Sequence, residues 1–83
     1  MNIQDFIENF AAQFDETAPE AFTAETRFKE LDEWSSLLAL SIIAMVDDEY
    51  DLIIKGNDIV NSETIQDLYN NIVAKREKAS RGK

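Results

Sequence analysis

Two adjacent serines, Ser35 and Ser36, stand between the stretch "FKELDEW" and the apolar run "LLALSIIAMV". Of all the side chains here, these hydroxyls are the ones whose position suggests chemistry. A serine just before an apolar helical run usually caps it, accepting from an orphan backbone N–H one turn on. The next position differs, because it lies in the first helical turn. Free N–H groups and the positive end of the helix dipole favour negative charge there. A phosphate esterified to Ser36 would be held there and pointed into solvent. Two readings therefore stand: both serines cap the helix, or Ser35 caps it and Ser36 offers a modifiable hydroxyl.

Other chemistries are poorly supplied. The chain has no cysteine and no histidine, which removes disulfides, Cys–His and Ser–His nucleophiles and most zinc sites. The acidic stretch "DDEYDLIIKGND" invites a calcium reading. Counted from Asp47, however, its sixth residue is Leu52 and its twelfth Asp58, where an EF-hand loop needs glycine and glutamate. No metal site is expected. Asp47, Asp48 and Glu49 read as the solvated end of a helix. Among 17 acids a chance carboxylate pair is expected, and no base, ligand set or glycine-rich phosphate loop accompanies one. The chain is not expected to be an enzyme; reactive chemistry would come from something attached to it.

The elements that must position the serines are helical. "IQDFIENFAAQF" sets Ile3, Phe6, Ile7, Phe10, Ala11 and Phe14 in one stripe, with Gln4, Asp5, Glu8 and Asn9 facing out. From Asp15 to Trp34 the periodicity is poor, and the only proline, Pro19, falls inside. This segment reads as a long structured connection, pinned by Phe22, Phe28, Leu31 and Trp34. A second helix is expected from about Ser36 to Tyr50, with apolar residues around more than half its circumference. Ile59 and Val60 suggest a single helical turn. A last helix is expected from about Thr64 to Lys75, where Thr64 and Asp67 have capping-box spacing. The expected fold is all-α, a small four-helix bundle of three longer helices and one short one. Phe10, Leu31, Leu40, Ile43, Ile65 and Leu68 are expected to meet in its core. Residues 1–75 form that domain, and residues 76–83 read as a basic, flexible tail.

The formal net charge is −9, yet Arg27, Lys29 and Lys55 are the only bases before residue 75. Such a field repels nucleic acid and anionic membrane and attracts basic protein surfaces. No stretch has the roughly 20 apolar residues a bilayer span needs, and the N-terminus lacks the charged start of a secretory leader. A monomer in the cytoplasm, bound to neither membrane nor nucleic acid, is the expectation.

Residues Phe28 to Ile65 resemble the acyl carrier protein family, with no gap across the stretch. The family's Asp-Ser-Leu motif is matched by Ser35-Ser36-Leu37, with Ser35 where the family has aspartate. Phe28 stands at the usual distance before the modified serine, and "MVDDEYDLII" is similar to the acidic, aromatic and apolar end of the family's second helix. Leu38 and Ser41 occupy positions where the family often has acids. The resemblance implies a four-helix bundle carrying 4′-phosphopantetheine, taken from coenzyme A, on Ser36, with Ser35 as the cap. It implies acyl intermediates held as thioesters in fatty acid or related acyl-chain biosynthesis. The implied partners are a phosphopantetheinyl transferase and acyl-transferring, condensing or acyl-activating enzymes with basic docking surfaces. They would meet Ser35, Leu37, Ser41, Ala44, Asp47 and Asp48. Two alternatives stand beside it: a carrier of an amino acid or other adenylated cargo, and an acidic helical adaptor that is never modified.

Overall fold

The chain enters its first helix through an asparagine cap. In the computed structural model, which describes residues 2–81, Asn2 Oδ1 accepts from the Asp5 N–H at 2.9 Å. That satisfies one of the N–H groups a helix start leaves orphaned, and α1 (Ile3–Ala11) follows. The helix ends a turn before the expected Phe14. Phe14 N–H instead bonds back to the Ala11 carbonyl at 3.0 Å, so its ring still turns inward and is buried.

The second helix, α2 (Ser36–Tyr50), begins and ends at the expected residues. It stops at Asp51, whose φ of 57° and ψ of 41° lie in the left-handed region, which aspartate tolerates better than most residues with a Cβ. The short α3 (Gly56–Val60) holds the anticipated single turn, started by the Asp58 carboxylate accepting from the Lys55 N–H at 2.9 Å. The last helix, α4 (Ile65–Arg81), runs past the expected Lys75. Gly82 and Lys83, the end of the expected flexible tail, lie outside the described residues. Thr64 and Asp67 cap α4 reciprocally. Asp67 N–H donates to Thr64 Oγ1 at 3.1 Å, and Thr64 N–H donates to the Asp67 carboxylate at 3.2 Å. Among the described residues these are the four helices, with no strand: an all-α bundle, three helices long and one short.

The connection between α1 and α2 holds two single-turn 3-10 helices, Pro19–Ala21 and Phe28–Glu30. It is structured because it serves two neighbours. Its Thr26 and Ala24 carbonyls accept from the Ile65 and Gln66 N–H groups at 3.2 and 2.9 Å, which removes two more orphan donors from the start of α4. Arg27 pairs with Glu63 at 3.3 Å, and Lys29 Nζ donates to the Val60 carbonyl at 2.6 Å. Two of the body's three cations are thus committed to pinning this connection.

Aromatic rings dominate the core. All five phenylalanines are buried, and neighbouring rings from Phe6 through Phe10, Phe14, Phe22 and Phe28 lie 4.8 to 6.1 Å apart. Ile42, Met45 and Val46 from α2, Ile54 and Ile59 around α3, and Ile65, Leu68 and Ile72 from α4 complete it. Among the described residues Ser62 is the buried polar one, and both its needs are met. Its hydroxyl donates to the Asp58 carbonyl at 2.8 Å and accepts from the Asn71 amide at 2.9 Å.

Two expectations about facing are corrected. Leu40, expected in the core, is 61% exposed. Leu31 and Ile43 pack on the core only in part. For Leu40 and Ile43 the reason is that α2 is apolar around most of its circumference, so periodicity could not tell its buried side from its exposed one. Asn9, expected to face out, is half-buried, and its amide donates to the Tyr50 hydroxyl at 3.0 Å.

Candidate functional site

Everything about the start of α2 depends on what fixes the residues just before it. Trp34 N–H donates to the Leu31 carbonyl at 3.0 Å. The indole then meets Phe28 edge-on at 5.1 Å and lies nearly parallel to Phe14 at 6.3 Å. Glu33, one residue earlier, reaches the other end of the connection. Its carboxylate accepts from the N–H groups of Asp15, Glu16 and Thr17 and from the Thr17 hydroxyl, all at 2.8 to 3.0 Å. Desolvation pushes the Glu33 carboxyl up, but the bonds from Asp15, Thr17 and Glu16 outweigh it and hold it below the ordinary carboxylate value. The dipeptide Glu33-Trp34 therefore anchors the helix start from two directions.

Ser35 is extended, with φ −159° and ψ 172°, and its hydroxyl accepts from the Leu38 N–H at 3.4 Å. Its carbonyl accepts the first helical bond, from Ala39 N–H at 3.1 Å. That is an N-cap. Ser36, the first helical residue, is exposed, and its hydroxyl makes no hydrogen bond among the described residues. The two serines thus divide their roles: one hydroxyl is engaged by the helix, the other free in solvent.

From Ser36 one side of α2 runs outward. Leu37 is 75% exposed, Ala44, Asp47 and Asp48 are exposed, and Ser41 is half-buried. Leu37, Ser41, Ala44 and Asp48 follow one another at helical steps of four, three and four and share one side of α2, whereas Asp47 lies off that row and Ser35, the cap, precedes the helix. Sequence reasoning missed Leu40 on this face. Its three-residue spacing from Leu37 was a usable signal, hidden because the same spacing also suits a core position. Ile53 and Val60 are likewise large, apolar and exposed.

No metal centre competes with this reading: among the described residues, no three His, Cys, Asp or Glu side chains cluster to hold an ion. Among the same residues, no helix is long and apolar enough to cross a membrane. No family model, curated protein or solved structure matches the chain.

Proposed function

We propose that this is a carrier protein of the acyl carrier type, with Ser36 Oγ as the attachment point of 4′-phosphopantetheine. The observation that supports it most is the division of labour between Ser35 and Ser36. The cap leaves the second hydroxyl unbonded, exposed and in the first turn of α2, where a phosphodiester's negative charge is favoured by the helix dipole. The residues present fit the group. It would supply a thiol for thioester chemistry, which a chain without cysteine lacks.

The chain's own part is presentation. Trp34 and Glu33 hold the helix start still, Ser35 occupies the cap, and Ser36 carries the load. Leu37, Leu40 and Ala44 offer partners an apolar surface, while Asp47 and Asp48 steer basic docking faces toward it. Partner enzymes supply the catalysis: a phosphopantetheinyl transferase first, then enzymes that load, extend or transfer an acyl group. We assign the pathway to fatty acid or related acyl-chain synthesis and the location to the cytoplasm.

Intact mass after incubation with coenzyme A and a broad-specificity transferase is the test. One phosphopantetheine is expected on the parent chain, located by fragmentation at Ser36, and none on Ser36→Ala. Labelling that persists in Ser36→Ala moves the site. An unlabelled parent, also unlabelled by its own organism's transferase, leaves the unmodified adaptor. Loading assays with acyl-transferring and adenylating enzymes then separate an acyl carrier from an amino-acid carrier.

A further inference from the structure

A groove of about 780 Å³ opens between α1 and the Asp15–Phe22 part of the following connection. It does not include Ser36 or the exposed face of α2. Its floor is apolar, made by the edges of Ile7, Ala11, Phe14 and Phe22, with Ala18 and Pro19 on the far wall. Its rim is acidic on both sides: Glu8 on the helix, and Asp15, Glu16 and Glu20 on the connection. All four carboxylates are exposed, and none pairs with a cation among the described residues. Among the described residues no lysine or arginine lines the groove.

Three backbone donors of that wall are already spoken for. Asp15, Glu16 and Thr17 N–H groups all go to Glu33, so they are not offered to an anion in the groove. It offers a cation four carboxylates around an apolar trough. An apolar trough of this size, open to solvent, suits side chains projecting from a helix laid along it. We propose that this groove is a second docking surface, and that its occupant is a basic amphipathic helix of a partner protein, apolar side down with lysine or arginine over the rim. Electrostatics selects the occupant. A second copy of this acidic chain would meet repulsion, and an acidic or neutral helix would leave the carboxylates uncompensated.

The groove also has a built-in reporter. Phe14 in its floor stacks on Trp34, the only tryptophan in the chain. The test uses a three-turn amphipathic leucine–lysine peptide, followed by Trp34 fluorescence and by amide NMR shifts. Saturable binding is expected, with shifts centred on Ile7, Ala11 and Thr17. Neutralising the rim with Glu8→Gln, Glu16→Gln and Glu20→Gln together should weaken it about ten-fold, with Glu25→Gln, Asp32→Asn and Asp51→Asn together, none of them in the groove lining, changing it less than about two-fold. All six positions are exposed, and circular dichroism checks that both triple variants fold. Absence of saturable binding overturns the proposal. So does equal weakening by both triple variants, or equal affinity for a glycine–lysine peptide, each of which reports unspecific charge attraction. A dimer that disappears with the rim substitutions overturns it in favour of a second copy, and tighter binding of a small cationic detergent in favour of a ligand site. None of these readouts involves modification of Ser36, so the proposal stands or falls apart from the carrier reading.

Discussion

Ser35 and Ser36 differ by one position and by everything a hydroxyl can be asked to do. The Ser35 bond to Leu38 N–H is long at 3.4 Å, so Ser35→Ala should lie near the lower end of the usual cap cost of about 0.5–2 kcal/mol. Ser36→Ala removes no hydrogen bond and should stay within about 0.5 kcal/mol of the parent. Thermal melts of the two variants check this, and equal losses would dissolve the distinction. Glu33 makes a pH-dependent prediction. Desolvation raises its carboxyl value, the four hydrogen bonds more than offset that rise, and the net is a depressed value in the folded chain. A depressed folded value means stability that is present above the unfolded value, about 4.3 for glutamate, and lost as pH falls through the folded one. Glu33→Gln should therefore melt below the parent at neutral pH, with the gap narrowing in acid. A gap of the same size at both pH values would mean that the charge contributes nothing.

Among the helices, α2 is the one whose sequence least resolves its packing. Leu40 and Ile42 are two residues apart, both aliphatic, and face opposite fates: 61% exposed against fully buried. Leu40→Ala should be close to neutral, within about 0.5 kcal/mol. Ile42→Ala should cost about 2–5 kcal/mol through lost burial and the cavity left behind, a large share of the stability of a domain this small. Chemical denaturation of both variants measures the contrast. If the two lost equal stability, the rotation of α2 described here would be wrong.

Across the molecule, charge and length pull apart. Sixteen of the 17 acids but only three of the eight bases precede Lys75, and two of those three bases, Arg27 and Lys29, are tied down locally. Self-repulsion in such a body should be relieved by screening, so added salt or magnesium should raise the melting temperature. A melting temperature indifferent to salt would contradict this. Beyond Ile72, the last fully buried residue of α4 among those whose side chains are described, residues up to Lys78 carry little that the core needs. Lys75 still reaches Asp58 at 3.6 Å, but Arg76, Glu77 and Lys78 are exposed. Deleting residues 76–83 should therefore leave the remaining helices folded, checked by circular dichroism; a disordered spectrum would assign the end of α4 a structural role.

Local rules were legible in the chain before any coordinates. The Ser35 cap, the Thr64–Asp67 pair and the single stripe of α1 depend on groups within four residues of each other, so spacing alone specifies them. The all-α fold follows from the same periodicities, and so does the candidate hydroxyl at Ser36, since being first in a helix is a local property. What lay beyond reach joins distant segments. Nothing in the spacing tells that Glu33 gathers the N–H groups of Asp15 to Thr17, that Asn9 meets Tyr50, or that Thr26 and Ala24 cap α4. Those bonds cross 16 to 42 positions in sequence. The face of α2 is the sharpest case. An apolar helix can bury any side, and its neighbours chose Ile42, Met45 and Val46, which turned Leu37 and Leu40 outward beside Ser36.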